Sequence, residues 1–157
     1  MKHYIDKYGR LPIWVAIEVW DFGLLSKLFS GLKVPDKNAI AQKYGSEDGN
    51  LFQKWLRSLN FIRNVSAHHS RLWNINILER SPLIKEDEYW QTLTDARPFY
   101  YFCIMQKLLR EICPNSKWSE RFEALLSEFP ELGYCHTTLG NFGLIENWKD
   151  WELWKHK

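Results

Sequence analysis

The chain has 157 residues with 45% hydrophobic content, enough for one real core, and no apolar run reaches the ~20 residues of a membrane span because Glu18 and Asp21 interrupt the best candidate. Its three cysteines, Cys103, Cys113 and Cys135, are an odd number without paired metal-ligand spacing; with no signal-peptide pattern, they point to a reducing, cytoplasmic setting. The net charge of +2 hides a cationic middle: no Asp or Glu falls between Asp48 and Glu79, whereas Lys54, Arg57, Arg63 and Arg71 do. Such a patch permits nucleic-acid binding through local potential; the plainer reading is a solvated face.

In chain order, Pro12 opens a predicted helix over 13–32, bent at Gly23 and apolar almost all round, which marks it as central. Pro35 precedes a short helix over 36–44, with Asp36 as its cap and Gly45 as its close. A turn then leads to a long helix from about Leu51. After Asn74 comes an irregular connection through Ser81 and Pro82, with a further turn or two over 86–94. Pro98 starts a core helix carrying Phe99, Phe102, Cys103, Gln106 and Leu109 at helical spacing. Ser116 or Ser119 opens another, with Phe122, Leu125, Leu126 and Phe129 inward and Glu120, Glu123 and Glu128 outward, ending before Pro130. Trp148, Trp151 and Trp154 are three apart and are expected to dock onto the domain, the alternative being base stacking or partner contact. With no strand alternation of useful length, the predicted fold is an all-α bundle.

The long helix is the stretch that departs from a plain globular pattern. At about 100° per residue, Phe52, Trp55, Leu56, Leu59 and Ile62 share a face, with Arg63 in the middle of that apolar stripe. A guanidinium aimed at a core needs a partner, and Glu18, expected to be at least partly buried, is the candidate, the alternative being that Glu18 and Asp21 mark a narrow solvated strip. Asn64 and His68 are four apart and can touch, but His68 lies roughly 140° round from Arg63. For Arg63 and His68 to share a site, the helix must end or bend near Ala67, or a second chain must supply the other half.

At Arg63-Asn64-Val65-Ser66-Ala67-His68 the sequence resembles the HEPN ribonucleases, whose signature is an Arg, often a polar residue, then a His after four to six intervening positions. The wider run is similar to the Abi-like bacteriophage-resistance (abortive infection) family. The blocks that carry this are Leu11-Pro12-Ile13-Trp14-Val15-Ala16-Ile17-Glu18, Phe22-Gly23-Leu24-Leu25-Ser26-Lys27-Leu28, the run from Arg63 to Asn74, and Gly143-Leu144-Ile145-Glu146-Asn147-Trp148. The resemblance implies that residues 1–157 form a single HEPN-like helical bundle equivalent to the C-terminal part of the usual Abi-like protein, which leaves a fragment, a split gene and a short family member open.

The resemblance further implies metal-independent endoribonuclease chemistry with no cofactor: a 2′-hydroxyl attacks the adjacent phosphate. Arg63, Asn64 and His68 would be catalytic; His69, which also satisfies the signature with five intervening residues, Arg71, Asn74 and Arg57 would contact RNA; Glu18 would support Arg63. A homodimer is implied, with an antitoxin or a regulatory RNA as a further partner. The alternative is a non-catalytic HEPN module binding RNA or protein. Other chemistries have weaker signatures. Cys135 and His136 lack zinc-site spacing, nothing specifically activates Cys103 or Cys113, and no Gly-x-x-x-x-Gly-Lys-Ser/Thr loop is present.

Overall fold

Helical spacing of apolar residues wins throughout: a computed structural model describes residues 2–18, 20–46, 48–68, 70–130 and 137–155, and it is 59% helix with no strand among the described residues. The elements in order are α1 (Lys2–Tyr8), α2 (Ile13–Ile17), α3 (Phe22–Ser30), α4 (Val34–Gln42), α5 (Gly49–Ala67), α6 (Glu88–Thr92), α7 (Pro98–Ile112), α8 (Trp118–Ser127), α9 (Leu139–Phe142) and a closing 3-10 turn at Trp148–Asp150. None of these helices is long and apolar enough to cross a membrane.

Helix α7 is the hub. It buries Phe99, Tyr100, Tyr101, Cys103, Ile104, Gln106 and Leu108, so the sequence-predicted core helix is in its place. Around it the aromatic residues close ranks. Phe122 of α8 stacks on Trp154 at 5.3 Å and on Trp118 at 5.3 Å, and Phe99 stacks on Trp154 at 5.8 Å. Trp148, Trp151 and Trp154 are all buried, which answers the choice the tail posed: these rings dock, and buried rings offer no face to a base. The Asp87 carboxylate ties the tail down with both oxygens, Oδ1 capping α6 through the Trp90 N–H at 3.0 Å and Oδ2 accepting from Trp151 Nε1 at 2.8 Å. In α8, Phe122 and Leu126 point inward as expected, but Leu125 is exposed. Burial follows the i, i+4 line from Phe122 to Leu126, which leaves Leu125 about 100° away.

The expected helix over 13–32 is two helices, and it is not central. The first helix ends at Ile17 and the second starts at Phe22, ahead of Gly23, because the Asp21 side chain accepts the Leu24 N–H at 2.7 Å and so starts a new helix. Ile13, Trp14, Ile17, Leu24, Leu25 and Leu28 are exposed; α3 gives the core Phe29 and little else. An all-round apolar helix needs cover, but the aromatic residues of α7, α8 and the tail have already filled the core of this chain. Likewise α4 begins at Val34, its N-cap Lys33 making no side-chain cap, with Pro35 and Asp36 lying in its first turn.

Helix α5 packs against α3, α4 and α7. Asp48 caps it through the Asn50 N–H at 2.8 Å, and Gly49 lets it cross α4 at very short range, since a Cβ there would sit 2.5 Å from Lys37 Cβ and 2.6 Å from the Lys37 carbonyl carbon. The Gly49 N–H donates to Asn38 Oδ1 at 2.9 Å.

Two consequences are measurable. Gly49→Ala should cost about 1–3 kcal/mol, because the obstacle is backbone that cannot swing away, seen as a lowered melting temperature. The connection between α5 and α7 is held by phenols: Tyr101 accepts from the Ser81 N–H at 3.2 Å and donates to the Asp95 carbonyl at 2.8 Å, and Tyr100 donates to the Pro82 carbonyl. Burial pushes the Tyr101 phenol up to about 12 and Tyr100 above the ordinary phenol range. Folding thus favours the neutral phenols, so their contribution is full below about pH 10 and is lost as pH rises towards 12. Tyr101→Phe should lower stability by about 1–2 kcal/mol at neutral pH through the stranded Ser81 N–H and flatten the alkaline fall of the melting temperature.

Candidate functional site

The rotation of α5 decides what its motif can do. The core-facing line runs through Phe52, Trp55, Ser58, Leu59 and Ile62, so it includes Ser58 and leaves Leu56 half-buried. That turns the helix away from the orientation the apolar residues alone suggest, and Arg63 falls about 75° off the core line. Arg63 is exposed, with its Nη1 donating to Asn64 Oδ1 at 2.9 Å. Glu18 is exposed at the end of α2 and forms no ion pair with Arg63. The expected buried Glu18–Arg63 pair is therefore replaced by a solvated arginine clipped to its neighbouring amide, and Glu18 has no supporting role for it in one chain.

Helix α5 ends at Ala67, where the Arg63/His68 geometry requires an end or a bend. His68 is the C-cap, its N–H donating to the Asn64 carbonyl at 3.1 Å, and the Ser70 N–H reaches back to the Val65 carbonyl at 3.1 Å, which satisfies two carbonyls of the last turn. The His68 ring is exposed and has no hydrogen-bond partner among the described residues. No hydrogen bond joins Arg63 to His68. His69 lies outside the described residues, as do Cys135 and His136.

The following segment is anchored rather than loose. Trp73 stacks between Phe129 and Phe142, both at 4.8 Å, and donates from Nε1 to the Thr138 carbonyl at 3.1 Å. The Asn74 carbonyl accepts from Arg97 Nη1 at 2.8 Å, and Arg71 and Asn74 stand exposed on either side of Trp73. Lys54, Arg63 and Arg71 form no salt bridge among the described residues, but Arg57 does, its Nε 2.6 Å from Glu79 Oε2. The first acid after the cationic stretch thus folds back and offsets one of its charges, which weakens the expected role of Arg57 as a phosphate contact. Cys103 is buried, and burial pushes its thiol well above the ordinary range, the opposite of what a nucleophile requires.

On the side of α5 away from α7, a cleft of about 870 Å³ opens towards α3. Helix α5 lines it with Gln53, Arg57, Asn60 and Asn64, and α3 with Gly23 and Lys27 among others. Gly23 of α3 faces the Asn60 side chain across this cleft, a Cβ on it falling 3.3 Å from Asn60 Oδ1. Gln53 and Asn60 were missed as functional candidates, yet their signal is in the sequence: 53, 57, 60, 64 and 68 follow the i, i+4, i+7, i+11, i+15 spacing of one helical face. The site residues brought together are therefore Arg63 with Asn64, and Asn64 with Arg57 along the cleft.

Residues 1–74 match the family model described as Abi-like protein. The match ends just where the Arg63 to Asn74 run ends. No curated protein and no solved structure matches the chain.

Because Arg63 is solvated and unpaired with any acid, Arg63→Ala should leave the melting temperature within about 2 °C of wild type, a result that thermal unfolding checks directly.

Proposed function

We propose that the protein is a metal-independent HEPN endoribonuclease of an abortive-infection phage-defence system, acting in the cytoplasm and cutting RNA through Arg63, Asn64 and His68 at a homodimer interface. The observation that carries this reading is the Abi-like match over residues 1–74, which spans a motif whose Arg63 and His68 side chains are both exposed and unoccupied by any acid.

The chemistry uses what those groups can supply. A ribose 2′-oxygen attacks the adjacent phosphorus while its proton passes to a base; the bond from phosphorus to the 5′-oxygen breaks, and that oxygen takes up a proton. The products are a 2′,3′-cyclic phosphate and a 5′-hydroxyl. His68, whose imidazole can both accept and donate a proton, exchanges one of these protons. Arg63, permanently charged, stabilises the phosphorane oxygens, and Asn64 orients its guanidinium through their hydrogen bond. Arg71 and Asn74 hold the flanking backbone, and His69 is a further RNA contact on this reading.

One chain presents Arg63 and His68 in divergent directions, whereas a transition state needs groups converging on one phosphate. Pairing two motifs about a two-fold axis brings both sets together. Support comes from the uncovered apolar side chains of α2 and α3, of which Ile13 is 55% and Trp14 62% exposed; a soluble monomer rarely leaves such a run of large side chains uncovered. Leu24 belongs to that surface and also lines the cleft that reaches Asn64, so the apolar surface adjoins the motif. An antitoxin or regulatory RNA would restrain such an activity.

His68→Ala should abolish cleavage of total RNA, mapped by its cyclic-phosphate ends, while melting and RNA binding stay near wild type. Chelator should change nothing, and DNA of the same sequence should resist. Mixed with wild type, the inactive chain should reduce activity with the square of the wild-type fraction. Salt-sensitive RNA binding without cyclic-phosphate ends at any protein concentration would instead leave the non-catalytic module.

A further inference from the structure

We infer that the cleft between α3 and α5 holds an unpaired nucleobase of the RNA strand beside the bond being cut, read chiefly by the amide of Asn60; the inference rests on the ribonuclease reading for what lies next to it. The stripe Gln53, Arg57, Asn60, Asn64 runs along the cleft and continues into His68 at the end of α5, so a strand bound at the motif has a direct path into it.

The cleft has the hydrogen-bonding capacity that base reading needs. Asn60 is half-buried and forms no hydrogen bond among the described residues, leaving a donor and an acceptor side by side. Gln53 has its acceptor taken by Lys37 Nζ at 2.6 Å and Asn64 has its acceptor taken by Arg63 at 2.9 Å, so each keeps its two amide N–H donors. A carboxamide with both functions open pairs in bidentate fashion with the N6 and N7 edge of adenine.

Charge selects a neutral ring over phosphate. Lys27 and Arg57 in the cleft are matched by Asp21 and Glu79, two cations against two anions, whereas the unmatched Arg63 and Arg71 lie beyond its end. A phosphate gains little inside and more outside. Leu24 and Phe61 add apolar wall, suited to the faces of a planar base. The volume of about 870 Å³ lies within the usual range of ligand sites, roughly 300–1,000 Å³. It admits a splayed-out base but not a duplex, as sequence-specific RNA recognition requires.

The test uses the full chain and four nucleoside 3′-monophosphates, with ribose phosphate as the base-free probe, in titrations followed by calorimetry or chemical-shift change. Adenosine monophosphate should bind roughly tenfold or more tightly than ribose phosphate. Asn60→Ser and Asn60→Leu, each checked for an intact melt, should collapse that ratio towards one, and both should broaden the bases found at mapped cut sites. Equal binding of ribose phosphate and all four nucleotides, or a ratio unmoved by both variants, overturns the assignment. Wild-type protein that shows the Asn60-dependent ratio yet leaves total RNA uncut would refute the ribonuclease reading while supporting the base site. Wild-type cleavage with no Asn60-dependent ratio would do the reverse.

Discussion

The burial of the Trp55, Ser58 and Ile62 line of α5 against the aromatic hub fixes the rotation of the motif helix, and everything at the candidate site follows from that angle. Trp55 is 1% and Ser58 1% exposed. A serine in that position is unusual on an apolar face; it lies next to the Tyr101 phenol of α7, so polar groups meet inside an otherwise greasy interface. Had Leu56 taken the central place instead, α5 would be turned so that Arg63 faced inward and the amide stripe lost its cleft.

That same rotation divides the surface of α5 by chemistry. Its flank carries exposed Arg63 and, beyond the helix end, Arg71, where an anion meets unmatched positive charge. Its far side carries carboxamides beneath α3, with the charges balanced by Asp21 and Glu79. One helix thus carries a cationic edge and a charge-balanced groove, and the Asn64 side chain belongs to both, bonded to Arg63 while lining the cleft.

Much of this was legible in the sequence. The periodicity of α7, the inward Phe122 and Leu126 of α8 and the docking of Trp148, Trp151 and Trp154 all follow from local patterns that tertiary structure left intact. What failed shares a cause. Arg63 and Glu18 were expected inside because apolar neighbours surround them, and the helix over 13–32 was expected to be central for the same reason; hydropathy counts apolar residues but does not say which of them the core has room for. Once the aromatic hub is full, α2 and α3 are left outside it. The Asn60 groove escaped notice for the converse reason: polar residues on a helix read as solvated until another helix is seen to cover them.

The crossing at Gly49 gives α5 the mechanics of a pivoted beam. The helix is pinned where its first residue touches the α4 backbone, and Arg63 lies fourteen residues along, about 21 Å at 1.5 Å per residue. A wedge that tilts α5 by about 5° at the pivot carries Arg63 by about 2 Å, a displacement large against the roughly 1 Å tolerance of a reacting geometry. The position of the guanidinium is therefore sensitive to the opposite end of the helix, at a residue with no side chain of its own.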